Sequence, residues 1–401
     1  MRGDVFGALR AYQVLVRERG EGDPDLLAEV ALTTLQRAAE SPDSAERAAA
    51  FGALRGLGVR GRELLELLGR RPGLTGDRAV AALYDLDGRR GTPPARLRQA
   101  ALRPDAESRA LGAVALRGRR GLRVLLAWAR DLDPLVRVLA AQHLGRRGGV
   151  PEALEALSGL CQGDPDRGVR TVATSALGGH GEAALPTLRR VFAGDDPSAR
   201  MSAPSALLAA APDEAEALLA GALGSAPSAF TVECARALAS RGHAGAGDYL
   251  LEVMRRGRRD LRAQAAVGAT MLVRERAEEL AGLLEADDPE VVLRVAVVLG
   301  RVAGHREAAR RALEALARHP DGFVAVRATG SLGSTGEPWV REDLRRALRS
   351  PAPSVRRVAV LSWAEALQGG ADCDPLGPLL VDPDRSVALA AAVQIVLIAA
   401  R

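Results

Sequence analysis

Residues 131–148 read DLDPLVRVLAAQHLGRRG, and much of the chain repeats this pattern. The Asp-Pro pair supplies an N-cap and a proline that suits the first helical turn, where its missing N–H is not needed. The same pair at Asp164-Pro165 and Asp382-Pro383 predicts that Asp164 and Asp382 are also N-caps. Val136, Ala140 and Leu144 then recur at the spacing of one buried helical face. Gly145 follows where a left-handed C-cap is expected, as Gly178 does in the next repeat. The stretch therefore predicts an amphipathic helix with a defined start and a defined end.

This helix recurs along the chain at an almost constant interval. Arg137 follows an apolar residue and precedes Ala at +3 and Leu at +7, and we call the residues that align with it slot residues. The slot residues are Arg47, Arg78, Arg109, Arg137, Arg170, Arg200, Thr231, Arg262, Val292, Ala325, Arg356 and Ala388. Successive slots lie 28 to 33 residues apart, which accommodates two helices of about 11–14 residues and two short turns.

Each repeat unit is therefore predicted to be a helical hairpin. Helix B carries the slot residue, and helix A precedes it, for example at 121–130, 151–161, 182–192, 278–284 and 307–317. Hydrophobic residues make up 47% of the chain and charged residues 26%, which is typical of a folded soluble protein. Aromatic residues are only 3%, so the core must consist of Ala, Leu and Val. No strand pattern competes, and the predicted fold class is all-α.

The pattern D-P-x-V-R-x-x-A-x-x-L-G resembles the HEAT repeat family in its short bacterial HEAT-like form. It is legible in DPLVRVLAAQHLG at 133–145 and, with two extra residues, in DPDRGVRTVATSALG at 164–178. The resemblance implies a right-handed α-solenoid of about twelve antiparallel hairpins, with helix B on the concave side. It also implies a ladder of Asp and Arg between neighbouring repeats, so most slot arginines are expected to be structural.

The two ends of the chain lead to separate expectations. Residues 1–23 are expected to form an N-terminal capping helix, and 24–401 a single solenoid in which 24–40 supplies the first helix A. The last helix, around 387–400, has almost no polar face. Either a partner or a second copy covers it, or the sequence continues, or the helix is slightly exposed. It is too short for a membrane span of about 20 residues.

The cysteines are Cys161, Cys234 and Cys373, and no Cys-x-x-Cys spacing occurs. They are expected to be small core residues in a reducing compartment. The N-terminus lacks the apolar run of a signal peptide, so a cytoplasmic location is expected, or an envelope or periplasmic one if a signal is missing. We expect no transmembrane segment.

Catalytic patterns are missing from the sequence. His180, His243 and His305 lie two repeats apart, so about 20 Å separates neighbours, whereas a shared metal needs ligands near 2 Å. No histidine is followed by Glu, unlike the His-Glu pairs of the HEAT-like hydroxylase that modifies deoxyhypusine. Neither a phosphate-binding loop nor a nucleophile elbow occurs. We expect no catalytic residue, no metal and no cofactor.

Basic residues concentrate in one part of the chain. Gly-Arg-Arg-Gly occurs at 88–91, 118–121 and 145–148, in turns that are predicted to follow helix B. Arg60 and Arg62 are predicted to lie in the same turn of the preceding repeat. Residues 55–123 contain 16 Arg against 7 acidic residues, a net charge of +9, which leaves −4 for the rest. The predicted ridge, a candidate site for an acidic partner, consists of Arg60, Arg62, Arg89, Arg90, Arg119, Arg120, Arg146 and Arg147. The alternative is that these arginines are simply solvated.

The main functional hypothesis is a non-enzymatic scaffold or adaptor that binds a protein partner on its concave surface. Helical phase selects the candidate contacts Gln142, Thr174, Ser175, Ser205, Arg236 and Gln264. The second hypothesis is electrostatic binding of nucleic acid or another acidic surface by the arginine ridge, although few aromatics are present for base stacking. A third is a HEAT-like lyase or DNA glycosylase, for which Trp128, Trp339 and Trp363 define no aromatic pocket. The oligomeric state is open.

Overall fold

The computed structural model describes residues 4–116, 118–367 and 372–400. Every regular element in these ranges is helical. The α-helices are α1 (Val5–Arg19), α2 (Pro24–Ala39), α3 (Ser44–Gly56), α4 (Gly58–Gly69), α5 (Gly73–Leu86), α6 (Ala95–Ala100), α7 (Ala106–Gly112), α8 (Gly118–Trp128), α9 (Pro134–Gly145), α10 (Pro151–Gly163), α11 (Arg167–Leu177), α12 (Leu185–Ala193), α13 (Pro197–Ala210), α14 (Pro212–Ala222), α15 (Ala229–Ala239), α16 (Ala244–Arg256), α17 (Arg259–Ala266), α18 (Ala269–Ala281), α19 (Pro289–Leu299), α20 (Arg306–Leu316), α21 (Gly322–Ser331), α22 (Pro338–Ala347), α23 (Pro353–Ala366) and α24 (Arg385–Ala399). Short 3-10 helices lie at Ala113–Ala115, Gly178–Ala184, Ala303–His305, Gly333–Thr335 and Asp374–Val381.

All twelve slot residues lie in α-helices, which confirms the all-α fold of helical hairpins. The slot helices are α3, α5, α7, α9, α11, α13, α15, α17, α19, α21, α23 and α24. An α-helix precedes each of the first eleven as helix A, and the 3-10 helix Asp374–Val381 takes that place before α24.

The chain forms two compact units. The first contains the described residues up to Arg90 and from Leu299 onward, and the second is Gly91–Val298. In the second unit, α9 packs on α11, α11 on α13, α13 on α15, and α15 on α17. The B helices from α9 to α17 therefore form a continuous layer. The predicted domain division, a cap at 1–23 followed by one solenoid, remains a prediction.

Glycines at the ends of B helices allow this close packing. The expectation of left-handed C-caps at Gly145 and Gly178 was wrong, because neither has a positive φ. A Cβ at Gly145 would lie 2.7 Å from the Ala176 Cβ, and one at Gly178 would lie 3.0 Å from the Ala206 carbonyl oxygen. Both distances are too short for comfortable packing. The glycines therefore serve the approach of one B helix to the next, and the left-handed turn comes later, at Gly149 and Gly181.

The last helix is covered by the beginning of the same chain. Helix α2 packs along α24 in the most extensive contact between two helices in the described ranges, while α1 packs on α2 and on Asp374–Val381. Leu27 of α2 and Ile395 of α24 are completely buried. None of the three interpretations of the apolar last helix predicted that α2 covers it. The described part of the chain itself buries the apolar surface that was assigned to a partner or to solvent.

Polar contacts accompany this packing of α1 and α2. The Tyr12 hydroxyl donates a hydrogen bond to Asp374 Oδ1 at 2.5 Å and accepts one from the Asp23 amide at 3.1 Å. Burial and the Asp374 carboxylate raise the pKa of Tyr12 far above its ordinary value. Glu46 forms an ion pair with Arg385 at the start of α24. Residues near both ends of the sequence are therefore joined by specific hydrogen bonds as well as by apolar packing.

Candidate interaction surfaces

The slot arginines hold neighbouring repeats together, and Arg137 shows the arrangement most fully. Its Nη1 donates hydrogen bonds to the carbonyl oxygens of Asp131 and Leu132, in the turn before its own helix, at 2.9 and 3.0 Å. Its Nε and Nη2 donate to the two carboxylate oxygens of Asp164, in the next repeat, at 2.7 and 2.8 Å. The side chains of Arg137 and Asp164 are only 11% and 3% exposed. We call such a pair of Arg and Asp a rung.

Three more slot arginines form rungs. The pairs are Arg109 with Asp131 at 3.2 Å, Arg170 with Asp196 at 2.5 Å, and Arg356 with Asp382 at 2.8 Å. Each of these arginines also donates to carbonyl oxygens of the turn before its own helix. The ladder that the family resemblance implied therefore exists, and the slot arginines in it are already engaged.

The rungs also correct the predicted helix caps. Asp164 and Asp382 were expected to be N-caps because proline follows each of them, but the helices begin later and are capped by Asp166 and Asp384. Desolvation would raise the pKa of Asp164, but hydrogen bonds from Arg137 and from the Asp166 amide, together with the nearby arginine charges, lower the pKa below its ordinary value. Asp164 is therefore an ion-pair partner of the preceding repeat.

Some slot arginines do not form a rung with an aspartate of the next repeat. Arg200 donates to the Phe192 carbonyl oxygen at 3.1 Å and lies 4.0 Å from the centre of the Phe230 ring, so a cation–π contact replaces the ion pair. Arg262 and Asp288, at rung spacing, each have a buried side-chain atom without a hydrogen-bond partner, Nε and Oδ2 respectively. The repeat pattern is also weak there, since α17 is short and α18 bends at Arg276.

Four of the predicted ridge arginines lie in the first unit. Arg60 and Arg62 are inside α4 and not in the preceding turn, and they form ion pairs with Asp25 and Asp87 respectively. Arg89 has a positive φ of 54° and binds Asp85 at 2.6 Å. Arg90 is exposed. Three of these four side chains therefore have carboxylate partners within the unit, which reduces the charge available to a ligand.

The other four ridge arginines lie in the second unit. Arg147 donates to the carbonyl oxygens of Leu116 and Gly118, at 2.9 and 3.3 Å, and ties its turn to the start of α8. Arg119 and Arg120 are in the first turn of α8 and not in a turn between helices, and Arg146 ends α9. These last three side chains are exposed, and none forms a hydrogen bond or ion pair in the described ranges.

The candidate concave contacts all lie in the second unit. Gln142, Ser175 and Ser205 are exposed, and each is five residues after its slot, on α9, α11 and α13. Arg236 has the same phase on α15 and is partly buried by its ion pair with Glu233, at 2.7 Å. Because these helices pack side by side in this order, the three exposed polar residues form a row across the layer.

Two of the candidates are turned away from such a surface or bonded internally. The prediction for Thr174 was wrong, because the side chain is fully buried and its hydroxyl donates to the Arg170 carbonyl oxygen at 2.8 Å. Gln264 donates to the Ala229 carbonyl oxygen at 3.2 Å and is half-buried. Leu135, which the sequence analysis missed, is 51% exposed and lies two turns before Gln142 on the same face of α9.

The histidines and cysteines have structural environments. His180 is buried with Nε2 3.1 Å from the Leu144 carbonyl oxygen, and His243 caps α16 through Nδ1. Burial raises the pKa of Cys161 to about 11, and those of Cys234 and Cys373 to about 12. Across 4–116, 118–367 and 372–400, no cluster of three His, Cys, Asp or Glu residues suits a metal ion. In the same ranges no helix combines the length and apolarity needed to cross a membrane.

Comparison with known proteins agrees with the geometry of the rungs. Two overlapping segments, 94–178 and 122–208, match HEAT repeats. The predicted resemblance is therefore confirmed, and residues 94–208 contain HEAT repeats. No curated protein has a significant match to the sequence.

Several solved structures are similar in fold. An engineered protein is 19% identical with a TM-score of 0.32, covering 92% of this chain and 99% of its own. Human deoxyhypusine hydroxylase in complex with glycerol is 19% identical with a TM-score of 0.29, covering 73% and 99%. Kap95p in its complex with RanGDP is 12% identical with a TM-score of 0.38, covering 92% and 60%. These values carry no argument about activity.

Proposed function

We propose that this chain is a non-enzymatic scaffold that binds a protein partner across the B helices of the second unit. The observation that supports this is the row of Gln142, Ser175 and Ser205, one exposed polar side chain from each of three successive helices. Hydroxyl and amide groups both donate and accept hydrogen bonds, and Leu135 adds exposed apolar area beside them. A layer of parallel helices is the surface that repeat proteins commonly use for partners.

A pair of matched variants tests this surface. Ser175→Arg with Ser205→Arg places two large side chains in the row, whereas Ala127→Arg with Ala193→Arg places the same two on exposed positions of the A helices α8 and α12. The full chain is used to isolate stoichiometric partners from its native lysate, and their binding is then measured directly. The first variant should lose about tenfold or more in affinity, and the second should bind like the wild type.

Other outcomes contradict the scaffold proposal. Equal binding by both variants would place the interaction elsewhere on the molecule. A chromophore or metal that copurifies at one equivalent would favour the HEAT-like lyase or glycosylase hypothesis instead. Either result would remove the B-helix row as the functional surface.

A second candidate function is electrostatic binding by the exposed cluster of Arg119, Arg120 and Arg146. These side chains have no carboxylate partner in the part of the chain that the structure describes, and Arg147 holds the two turns together. Replacing the three by Ser should abolish binding to a double-stranded DNA oligonucleotide if this function is correct, and wild-type affinity should fall steeply with salt.

The matched control removes the same charge elsewhere in the second unit. Arg241, Arg255 and Arg259 are exposed, and replacing them by Ser lowers the net charge equally. Loss of DNA binding in both triple variants would indicate a nonspecific effect of net charge. No binding by the wild type at low salt would eliminate the nucleic-acid version of this function.

A further inference from the structure

The rung between α17 and α19 in the second unit has both of its partners but is open. Arg262 and Asp288 are 26 residues apart, the same separation as Arg170 and Asp196. In that closed rung the Arg170 Nε donates to Asp196 Oδ2 at 2.5 Å. The Arg262 Nε and the Asp288 Oδ2 are buried, and neither has a hydrogen-bond partner in the described part of the chain. The two atoms that would form the bond are therefore the two that lack a partner.

The carboxylate of Asp288 is already oriented for a rung. Its Oδ1 accepts a hydrogen bond from the Glu290 amide at 3.0 Å, as Asp196 Oδ1 does from the Ser198 amide at 3.0 Å. Asp288 is only 5% exposed, so water does not solvate its second oxygen. Leaving a buried charged group without a partner is unfavourable, and closure of the rung would remove that cost.

Helix α18 determines how far apart the two partners lie. It connects α17, which carries Arg262, to the turn before α19, which contains Asp288. The helix bends at Arg276, where φ is −128° and ψ is 31°, so its two halves do not continue along one axis. The bend therefore sets the position of the Asp288 turn relative to α17.

Two ion pairs hold the residue at the bend. The Arg276 Nη2 donates to Asp248 Oδ1 in α16 at 2.8 Å, and its Nη1 donates to Glu279 Oε1 at 2.7 Å. The Asp248 and Glu279 side chains are 65% and 39% exposed. Ion pairs with such exposure are individually weak. The interactions that keep α18 bent are thus small enough for a closed rung to compete with them.

We propose that α17, α18 and α19 form a two-state switch in which Arg276 and Arg262 compete. While Arg276 binds Asp248 and Glu279, α18 is bent and the rung is open. Release of Arg276 lets α18 straighten, and Arg262 then binds Asp288 and ties α17 to the next repeat. A segment with two arrangements of similar free energy responds to small perturbations. The switch is independent of the partner surface proposed on α9, α11 and α13.

Double-mutant cycles measured by native-state hydrogen exchange test this competition, because exchange reports local opening of individual helices. Arg262→Met and Asp288→Asn form the cycle, since Asn keeps an oxygen for the Glu290 amide but removes the charge. In the wild-type background their coupling should be below about twofold in the opening equilibrium constant of α17 and α19. The reference cycle, Arg170→Met with Asp196→Asn, should show a coupling of about tenfold or more in α11 and α13.

Releasing the bend should create the missing coupling. In the Arg276→Met background the coupling of the first cycle should rise to about tenfold. Asp248→Asn with Glu279→Gln removes the same ion pairs from their acidic side and should have the same effect. The matched control is Arg256→Met, which removes an ion pair with Glu252 on α16 and should leave the coupling below about twofold.

Four outcomes contradict the switch. A wild-type coupling equal to that of the reference cycle would show that the rung is already closed. Coupling that stays below about twofold after both ways of releasing Arg276 would show that the rung cannot close. Coupling that appears in Arg256→Met as well would show that the effect is not specific to the bend. Loss of exchange protection throughout α16–α19 in both release variants would show that the ion pairs of Arg276 are required for folding and do not compete with a second arrangement.

Discussion

Removing Asp164 should destabilise the second unit far more than removing an exposed aspartate nearby. In Asp164→Ala, two hydrogen bonds from Arg137, at 2.7 and 2.8 Å, are lost. Arg137 remains held by two carbonyl oxygens in a position where its side chain is 11% exposed. Breaking a buried pair from one side leaves an uncompensated charge, and the usual cost is about 3–5 kcal/mol.

The assay for this prediction is urea unfolding followed by far-UV circular dichroism. Hydrogen exchange of α9 and α11 accompanies it, because repeat arrays sometimes unfold in parts. Asp195→Ala is the matched control, since Asp195 is an exposed aspartate in the turn before α13, and the change should stay within about 0.5 kcal/mol. The double variant Arg137→Met with Asp164→Leu should recover much of the loss, because no charge is then buried. A loss below about 1 kcal/mol for Asp164→Ala, or one equal to that of the control, would refute the structural role of the rung.

Three further predictions concern packing, pH and thiol reactivity. In urea unfolding, Gly145→Ala should lower the free energy of unfolding by about 1–3 kcal/mol, because the new Cβ would lie 2.7 Å from the Cβ of Ala176. The control Gly159→Ala, whose Cβ would have no neighbouring atom within 4 Å, should be neutral or stabilising. The hydrogen bond from Arg170 lowers the pKa of Asp196 below its ordinary value. The stabilisation from this ion pair is therefore fully present above the unfolded pKa of about 3.9 and is lost as pH falls through the lower folded value. Below about pH 4, unfolding measurements should therefore show a steeper decline for the wild type than for Arg170→Met, and parallel profiles would contradict this assignment. All three cysteines, Cys161, Cys234 and Cys373, are buried and have raised pKa values. An aromatic disulfide reagent at pH 8 should therefore label none of them in the folded protein and all of them in urea. Rapid labelling of the native chain would disprove their burial.

The period of the slot residues was sufficient to locate all twelve B helices. The period locates these helices because each stacked repeat buries the same helical face, so the same pattern of apolar residues occurs once per repeat. Helical phase within a repeat was less reliable. Thr174 and Ser175 are neighbours, but one residue rotates the side chain by about 100° around the helix axis, and only Ser175 is exposed. An error of one position in the helical phase is therefore enough to select a buried residue as a surface contact.

The arginine ridge was predicted from composition, which does not show which arginines form ion pairs with carboxylates in the folded chain. Arg62 and Asp87 are 25 residues apart in sequence and 3.0 Å apart in the structure. Their ion pair depends on how two helices pack, which no local pattern reveals. The contact of α2 with α24 was missed for the same reason. A signal was nevertheless present, because Asp23-Pro24 has the same form as the start of a B helix, although 24–40 was expected to be helix A.

The hydrogen bond between Tyr12 and Asp374 joins residues that are 362 positions apart. The ribosome adds about 5–20 residues per second, so the surface of α2 that packs on α24 stays uncovered for tens of seconds during synthesis. Helical repeats usually fold rapidly because their contacts are local, and the rungs of this chain are local in that sense. Completion of the first unit, in contrast, requires the synthesis of α24, and Leu27 remains exposed to chaperones and to other nascent chains until then.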